Sequence, residues 1–372
     1  MSYHNKIKNE AGQRKLLACD GGGIRGIISI EILARIEDEL RKSSRRPELV
    51  LADYFDYVAG TSTGAIIATL VALGYSTDKI RDFYIKSGAE MFEKARLWER
   101  FKTKFRNDKL SAMLQEIIGV DTLFGSEKLQ TLLMIVLRNA TTDSPWPLSN
   151  NPNAKFNLPG TPGRNTDLAL WQLVRASTAA PTYFPPEIIT VDPHEFIFVD
   201  GGVTMYNDPA FQLFLMATAQ PYRLCWPTGE EKMLLISVGT GASPNANANL
   251  SPEEMNLLYN AGTVPGALMS AALHEQDFLC RIFGKCLAGE VLDEEIGTVI
   301  DAGISNVPKL LTYARYNAEL SREGLDALGL TSINPAHVQQ MDSVEYIGEM
   351  QQVGQAVAKE KVSAVHFAGF PA

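Results

Sequence analysis

The sequence predicts an α/β protein built on a mainly parallel central sheet with helices on both faces. Short apolar runs alternate along the chain with stretches whose apolar residues recur at helical intervals, which is the pattern of repeated strand–helix units. A chain of 372 residues with 45% hydrophobic content can also bury the core that such a fold requires. The clearest strand candidates are residues 15–19, 54–60, 132–139, 196–202 and 233–241.

The first two strand candidates each lead into a predicted helix. After "KLLAC", the segment beyond Gly26 carries apolar residues at helical spacing from Ile30 to Leu40. After "YFDYVAG", the apolar segment "AIIATLVALG" predicts a helix that stops at Gly74. The same strand, turn and helix unit therefore occurs twice.

Two regions are expected to depart from this alternation. Residues 141–165 are rich in Pro and Asn and predict a long irregular loop. After residue 250 the pattern is helical and offers no further strand candidate. We therefore expect a polar N-terminal segment (1–14), a main α/β domain (15–250) and a helical C-terminal region (251–372) packed on that domain as a layer.

The charge balance limits the classes of partner. The formal net charge of -9 argues against general affinity for nucleic acid polymers, which requires an excess of Lys and Arg. The N-terminus is polar, and no run reaches the roughly 18 apolar residues that a membrane-spanning helix needs, so we expect a cytoplasmic protein. The cysteines lack the spacing of a disulfide framework or a zinc site, which predicts free thiols and no metal.

The segment "GTSTG" at residues 60–64 has the G-x-S-x-G pattern between a predicted strand and a predicted helix. Small residues at Gly60 and Gly64 let the chain turn sharply and expose the Ser62 hydroxyl at the helix N-terminus, as in a nucleophile elbow. A turn that merely caps a helix has the same composition. The flanking strand and helix favour the nucleophile.

The loop "DGGGIRG" at residues 20–26 is open to two interpretations. Gly21, Gly23 and Gly26 fit the G-x-G-x-x-G spacing of a dinucleotide loop, which would make the chain a nucleotide-binding regulatory protein or an oxidoreductase. That interpretation requires a ribose-binding acid after the next strand, where the sequence has "GTSTG" instead. The loop amides can equally stabilise the oxyanion of an acyl-transfer intermediate. Arg25 either completes that environment or forms a structural ion pair beneath it.

A serine hydroxyl needs a base to take its proton, and Asp200 in "FVDGGV" is the candidate. It stands at the end of a predicted strand, where its carboxylate can face the same sheet edge as Ser62. An ordinary Asp-Gly turn is the alternative. None of the five histidines has the local setting of a catalytic base: His4, His194, His274, His337 and His366.

In this order and context, "DGGGIRG", "GTSTG" and "DGG" resemble the motifs of the patatin-like phospholipases. "RASTAAPTYFPP" (175–186) and "LLISVGTG" extend the resemblance to about residue 241. The resemblance implies a patatin-like catalytic domain and a lipid acyl hydrolase that cleaves fatty-acyl esters of phospholipids without a cofactor. It implies Ser62 as the nucleophile and Asp200 as the general base. The further residues that it implies are an oxyanion hole at Gly22, Gly23, Ile24 and Arg25, and supporting glycines at Gly201 and Gly202.

Residues 94–109 carry seven basic and two acidic residues, and Trp98, Phe101 and Phe105 share one face of a predicted helix. Such a basic amphipathic helix either contacts a membrane surface or packs its aromatic stripe on the core. The first alternative predicts a protein that is peripheral at the inner membrane when it acts.

The resemblance also bears on regulation. Some bacterial patatin-like proteins of similar size, with a helical C-terminal part, are antiphage effectors that cyclic oligonucleotides switch on. This implies a cyclic-oligonucleotide activator, a role in antiviral defence and a homo-oligomer as further expectations, although the sequence contains no recognisable nucleotide pocket.

Overall fold

The computed structural model describes residues 2–8, 12–92, 106–181, 183–243, 257–300 and 302–372. Within these ranges one nine-stranded sheet forms the centre of the molecule. Its strands are β1 (Arg14–Cys19), β2 (Tyr57–Thr61), β3 (Leu132–Asn139), β4 (Ser144–Ser149), β5 (Glu187–Val191), β6 (His194–Asp200), β7 (Met233–Val238), β8 (Gly284–Ala288) and β9 (Leu311–Tyr316).

Helices flank this sheet. Short 3-10 turns occur among them, including one within the glycine loop and one after the Asp-Gly-Gly segment. The helices within the described ranges are α1 (His4–Lys8), α2 (Gly26–Ser44), α3 (Leu51–Tyr54), α4 (Thr63–Ala72), α5 (Thr77–Phe92), α6 (Arg106–Ile118), α7 (Leu170–Ser177), α8 (Ala210–Thr218), α9 (Leu257–Phe283), α10 (Arg322–Ala327), α11 (Pro335–Gln339) and α12 (Ile347–Lys361). None of them combines the length and apolarity that crossing a bilayer requires.

The strand order is β5-β6-β3-β2-β1-β7-β9-β8, with β4 paired to β3 off this path. The six strands from β3 to β8 in this order run parallel to their neighbours. In contrast, β4 and β6 run antiparallel to β3, and β5 runs antiparallel to β6. The predicted α/β fold with a mainly parallel sheet flanked by helices is confirmed.

Burial follows the position of each strand in the sheet. Every residue of β2, β7 and β9 is buried, as expected for parallel strands that helices cover on both faces. The edge pair β5 and β6 is largely exposed or half-buried. All five strands that the apolar runs predict are present, with their boundaries shifted by a few residues.

The prediction of a C-terminal region without strands is wrong. Both β8 and β9 lie in that region, and β9 pairs in parallel with β7, so the region completes the sheet as well as adding helices to it. The β9 segment "LTYARY" is buried at every residue. A short buried strand of this kind lacks the alternation that would separate it from a helix by pattern alone.

The irregular loop predicted for residues 141–165 is wrong in part. Its first portion forms β4, an antiparallel partner of β3, although this strand contains Pro145 and Pro147. Prolines are tolerated there because β4 pairs along one side only. The polar N-terminal segment is also anchored, since Tyr3 is buried and its amide donates to the carbonyl of Leu129 at 3.0 Å.

The register along β3 determines where the candidate site forms. Thr61, the last residue of β2, pairs with Val136, and Asp200, the last residue of β6, pairs with Leu137. Because β4 occupies the opposite side of β3, both β2 and β6 lie along its other side. One strand is parallel and the other antiparallel to β3, so their C-terminal ends meet head to head.

Candidate active site

Ser62 occupies the turn between β2 and α4, with φ 55 and ψ -123. A positive φ is rare for a residue with a side chain and marks the strained strand-to-helix turn of a nucleophile elbow. The adjacent chain segments approach too closely for side chains on either flank. A β-carbon on Gly60 would lie 2.0 Å from the carbonyl oxygen of Gly64, and one on Gly64 would lie 2.2 Å from that of Cys19.

The Ser62 hydroxyl faces the carboxylate of Asp200. Its Oγ donates a hydrogen bond of 2.6 Å to Oδ2 of Asp200. The other carboxylate oxygen, Oδ1, accepts a 2.7 Å bond from the amide of Gly202. That second bond fixes the carboxylate so that one oxygen points at the hydroxyl. Gly201 begins the 3-10 turn that presents this amide.

Burial changes the acid–base behaviour of this carboxylate. Asp200 is 4% exposed, and burial raises its pKa to about 6. The hydrogen bonds from Ser62 and Gly202 and the positive charge of Arg175 act in the opposite direction. A carboxyl with such a pKa is ionised at neutral pH and is still basic enough to take up a proton during a reaction.

A second serine, which sequence reasoning missed, holds the elbow in place. The Oγ atom of Ser177, the last residue of α7, accepts a 2.9 Å bond from the amide of Ser62 and donates a 2.7 Å bond to the carbonyl of Val136 in β3. It thereby ties α7, the elbow and the sheet together. In the sequence, Ser177 lies within the block "RASTAAPTYFPP", which indicated the family resemblance but gave no role to this serine.

Arg175 lies two residues earlier in the same helix and is fully buried. Its guanidinium carbon lies 5.3 Å from the centroid of the Phe184 ring, and its Nη2 donates to the carbonyl of Pro185 at 3.4 Å. Burial lowers the pKa of Arg175, and the negative charges of Glu187 and Asp200 raise it. The site therefore contains a buried cation that favours the ionised form of the base.

The glycine loop lies directly against the elbow because β1 and β2 are adjacent and Cys19 pairs with Gly60. A β-carbon on Gly21 would lie 3.2 Å from the β-carbon of Ser62. Among the described residues no acceptor is bonded to the amides of Gly22 or Gly23. These two amides are therefore available to a negatively charged oxygen beside the hydroxyl.

The end of the loop faces the C-terminal region instead. The amide of Ile24 donates a 2.9 Å bond to the carbonyl of Met341, so it is already engaged, which corrects its predicted place in the oxyanion hole. Nη1 of Arg25 donates to the carbonyl of Gln339 at 3.2 Å. Burial lowers the pKa of Arg25 to about 10, and the charge of Asp20 opposes this. Of the two interpretations for Arg25, these contacts favour the structural one.

Two of the five histidines form side-chain hydrogen bonds away from Ser62 and Asp200. His337 bonds Glu349 at 3.1 Å, and His366 bonds the Tyr316 hydroxyl at 2.7 Å. Within the described residues neither Ser62 nor Asp200 is hydrogen-bonded to a histidine. The predicted basic amphipathic helix at 94–109 lies outside the described residues as far as residue 105, including Trp98, Phe101 and Phe105.

The strand ends of this α/β sheet present a serine in a nucleophile elbow, a buried aspartate and a glycine loop. This arrangement places the protein among the α/β proteins that carry a nucleophile elbow. Residues 17–214 match the family described as Patatin-like phospholipase, and the chain belongs to this family. The resemblance inferred from the sequence motifs is thus confirmed.

Curated relatives include patatins from two Solanum species. Patatin group D-3 from Solanum tuberosum is 29% identical and Patatin-17 from Solanum cardiophyllum is 30% identical, each over 256 residues. The match covers 64% of this chain and 63% of each relative, so it spans less than two thirds of their length. Among solved structures, VipD from Legionella pneumophila is 12% identical with a TM-score of 0.39, covering 91% of this chain and 66% of that chain.

Proposed function

We propose that the protein is a lipid acyl hydrolase that cleaves fatty-acyl esters of phospholipids, with Ser62 as the nucleophile and Asp200 as the general base. The observation that carries this proposal is the 2.6 Å contact between the Ser62 hydroxyl and the buried Asp200 carboxylate. Membership of the Patatin-like phospholipase family supports a lipid ester as the substrate.

The proposed reaction begins when Asp200 accepts the Ser62 proton and Oγ attacks the acyl carbonyl carbon. The carbonyl oxygen becomes an oxyanion beside the amides of Gly22 and Gly23. When the tetrahedral intermediate collapses, the proton passes from Asp200 to the departing alcohol or lysophospholipid. Water then attacks the acyl-serine, Asp200 takes the proton of that water, and the fatty acid leaves as the proton returns to Ser62.

The glycine amides contribute to the rate as well as the serine and aspartate. Removing one donor from an oxyanion hole typically raises the barrier by about 3 to 4 kcal/mol. Donors held by a rigid loop need no reorganisation when charge develops on the substrate. A loop attached to β1, at the centre of the sheet, meets that requirement.

The test compares the wild type with Ser62→Ala and Asp200→Asn on mixed phospholipid vesicles, with chromatography of the released fatty acids. Both variants should lose at least about 1,000-fold in kcat, by analogy with other nucleophile and base substitutions. Ser43→Ala and Asp38→Asn, at exposed positions of α2, are matched controls that should retain activity. Full turnover by either site variant would disprove the role assigned to that residue.

A nucleotide-binding function for the Gly21–Gly26 loop is the alternative. Contact between this loop and Ser62 favours the hydrolase, because the space that a pyrophosphate would enter adjoins the proposed nucleophile. Fluorescence titration with NAD or ATP separates the two functions. Saturable binding that Ser62→Ala does not affect, together with no ester cleavage by the wild type, would favour the alternative.

We further propose that the protein acts from the cytoplasm as a peripheral protein at the inner membrane, through the basic segment 94–109. Its excess of basic residues suits an anionic lipid surface. Sedimentation with vesicles that contain anionic lipid should show binding that Lys102→Glu and Lys104→Glu together reduce. Unchanged sedimentation of this double variant would remove the segment from the proposal.

Activation by a cyclic oligonucleotide, and with it a role in antiviral defence and a homo-oligomeric state, stay predictions that come from the family resemblance. A panel of cyclic dinucleotides and trinucleotides should raise the melting temperature of the protein and increase fatty-acid release if the prediction holds. Light scattering with and without the active compound would report the oligomeric state. No thermal shift and no activation by any member of the panel would remove the idea.

A further inference from the structure

Arg315 of β9 hydrogen-bonds two buried carboxylates, and its Nε lies 3.6 Å from Oδ2 of a third, Asp277. Its Nη2 donates a 2.6 Å hydrogen bond to Oδ2 of Asp20, and its Nη1 donates a 2.7 Å bond to Oδ2 of Asp208. The same Nη1 donates to Oγ of Ser237 at 2.6 Å. Arg315 is 6% exposed, Asp20 2% and Asp208 0%, so water screens these contacts very little.

The two carboxylates belong to the two loops that carry the proposed chemistry. Asp20 is the first residue of the glycine loop. Asp208 follows Asn207, whose carbonyl accepts a 3.1 Å bond from the amide of Gly21. The preceding carbonyl, that of Tyr206, accepts a 2.6 Å bond from Oγ1 of Thr61. The Arg315 guanidinium therefore links the start of the glycine loop to the segment around Asp208. That segment is hydrogen-bonded both to the glycine loop and to β2, the strand that leads into the elbow.

The sheet register explains why an arginine reaches this point. Ala18 of β1, Ser237 of β7 and Arg315 of β9 are neighbours across three parallel strands. Two strand spacings, about 10 Å, separate Arg315 from β1, and the small Ser237 between them leaves room for the long side chain. The planar fork of a guanidinium can bond two carboxylates at once, whereas a lysine ammonium acts as a point charge.

We propose that Arg315 is a positioning residue for catalysis, because it fixes Asp20 to Asp208 and thereby sets the Gly22 and Gly23 amides relative to Ser62. This inference rests on the proposed function. It assigns a catalytic task to the C-terminal region, since Arg315 lies beyond residues 17–214 that match the family.

A second buried arginine provides a matched control. Arg281 of α9 is 1% exposed and forms two bonds with Asp277, of 2.8 and 2.6 Å, within the same buried cluster. Its remaining bond partners are the carbonyls of Glu290 and Thr298, away from the catalytic loops. A purely structural role for Arg315 predicts that substitutions of the two arginines have similar effects on activity.

The experiment compares Arg315→Lys with Arg281→Lys in the full chain. We expect kcat for phospholipid hydrolysis to fall about 10- to 100-fold in Arg315→Lys with KM changed by less than about twofold, the effect of a small misplacement of catalytic groups. Arg281→Lys should keep kcat within about twofold. Wild-type kcat in a folded Arg315→Lys, or an equal loss in Arg281→Lys, would overturn the proposal.

Hydrogen exchange gives a readout that needs no substrate. The amides of Asp20, Gly21 and Ile24 are hydrogen-bonded, and they should exchange faster in Arg315→Lys but not in Arg281→Lys. Should Arg315→Lys not fold, Asp208→Asn weakens one arm of the contact and should show the same pattern. If the wild type releases no fatty acid, the proposed function fails, and the exchange comparison still decides whether Arg315 holds the loop.

Discussion

The Oγ atom of Ser62 lies 2.6 Å from Oδ2 of Asp200, although 138 positions separate the two residues in the chain. They meet because β2 and β6 end head to head along one side of β3, where Thr61 and Asp200 pair with consecutive residues. Hydrogen-bonded strand register thus sets the spacing of this pair. A site built on strand ends holds its geometry more closely than one built on long loops.

The first prediction concerns the pH dependence of activity. The raised pKa of Asp200, about 6, predicts that kcat/KM falls about tenfold per pH unit below 6 and levels off above it, because only the ionised carboxylate accepts the serine proton. A soluble monomeric ester, assayed at constant ionic strength with the fold checked at each pH, measures this. A flat profile between about pH 4.5 and 8 would contradict the role of Asp200 as the base.

The buried carboxylate of Asp200 should also lower the free energy of unfolding at neutral pH. Its pKa in the folded state lies above the ordinary value near 3.9, so the folded protein binds this proton more tightly than the unfolded chain. The wild type therefore loses stability as the pH rises from about 4 through 6. Asp200→Asn avoids this loss and should be more stable than the wild type at pH 8, by roughly 1–3 kcal/mol, with the difference vanishing near pH 4.

Chemical denaturation of both proteins at pH 4.5 and pH 8 provides the measurement. Asp38→Asn, an exposed aspartate in α2, controls for the loss of one negative charge. A site variant that is less stable than the wild type at both pH values would show that the buried charge is fully compensated by its partners.

Arg175 should tune this base. Its positive charge favours the ionised carboxylate, so Arg175→Gln should raise the pKa of Asp200 further and move the acidic limb of kcat/KM to higher pH. Arg164→Gln, which removes a surface pair with Asp167, is the control and should leave the limb in place. If the acidic limb of kcat/KM stayed in place in folded Arg175→Gln, solvent would screen the charge of Arg175 from Asp200.

Two local patterns, each after a predicted strand, were enough to single out the two residues whose side chains the structure brings into contact, Ser62 and Asp200. "GTSTG" and "DGG" each follow a predicted strand, and the expectation that strand ends share one sheet edge placed Ser62 near Asp200. The structure brings the two residues together in another way, because β6 runs antiparallel to β3 and meets the end of β2 head to head. The predicted sheet was likewise correct at β1, β2, β3, β6 and β7. Each of these strands is a short apolar run bounded by turn residues.

The parts that sequence reasoning missed depend on distant partners or on ambiguous patterns. Ser177 bonds an amide 115 positions away, and Arg315 bonds a carboxylate 295 positions away, and no spacing rule links such residues. β9 carries two tyrosines and an arginine in a stretch of helical periodicity, and only its position in the sheet explains their burial. Ile24 was misplaced because a contact from Met341 decides the state of its amide.

Ser177 should matter for both stability and rate. Ser177→Ala leaves the half-buried amide of Ser62 without its acceptor and the carbonyl of Val136 without its donor, which should lower the free energy of unfolding by about 1–3 kcal/mol. Loss of the support should also lower kcat, by up to about 100-fold. Thr122→Val, which removes a buried hydroxyl bonded to the carbonyl of Ile118, should reduce stability alone. Equal kcat in both variants would rule out a supporting role for Ser177.

The close packing around Gly64 in the elbow predicts that a substitution there strongly destabilises the fold. A β-carbon on Gly64 would lie 2.2 Å from the carbonyl oxygen of Cys19 and 2.7 Å from that of Asp20, and backbone atoms cannot move aside as a flexible side chain can. Gly64→Ala should therefore displace α4 from β1 and lower the free energy of unfolding by about 3 kcal/mol or more. Thermal melting and the yield of folded protein measure this.

Gly348→Ala is the control for the elbow substitution. No atom lies within 4 Å of the β-carbon that this change adds in the first turn of α12. Alanine is favoured over glycine in helices, so Gly348→Ala should match or slightly exceed the wild-type melting temperature. If Gly64→Ala also melted at the wild-type temperature, the approach of β1 to α4 would be looser than the structure has it, and the elbow would not need glycine there.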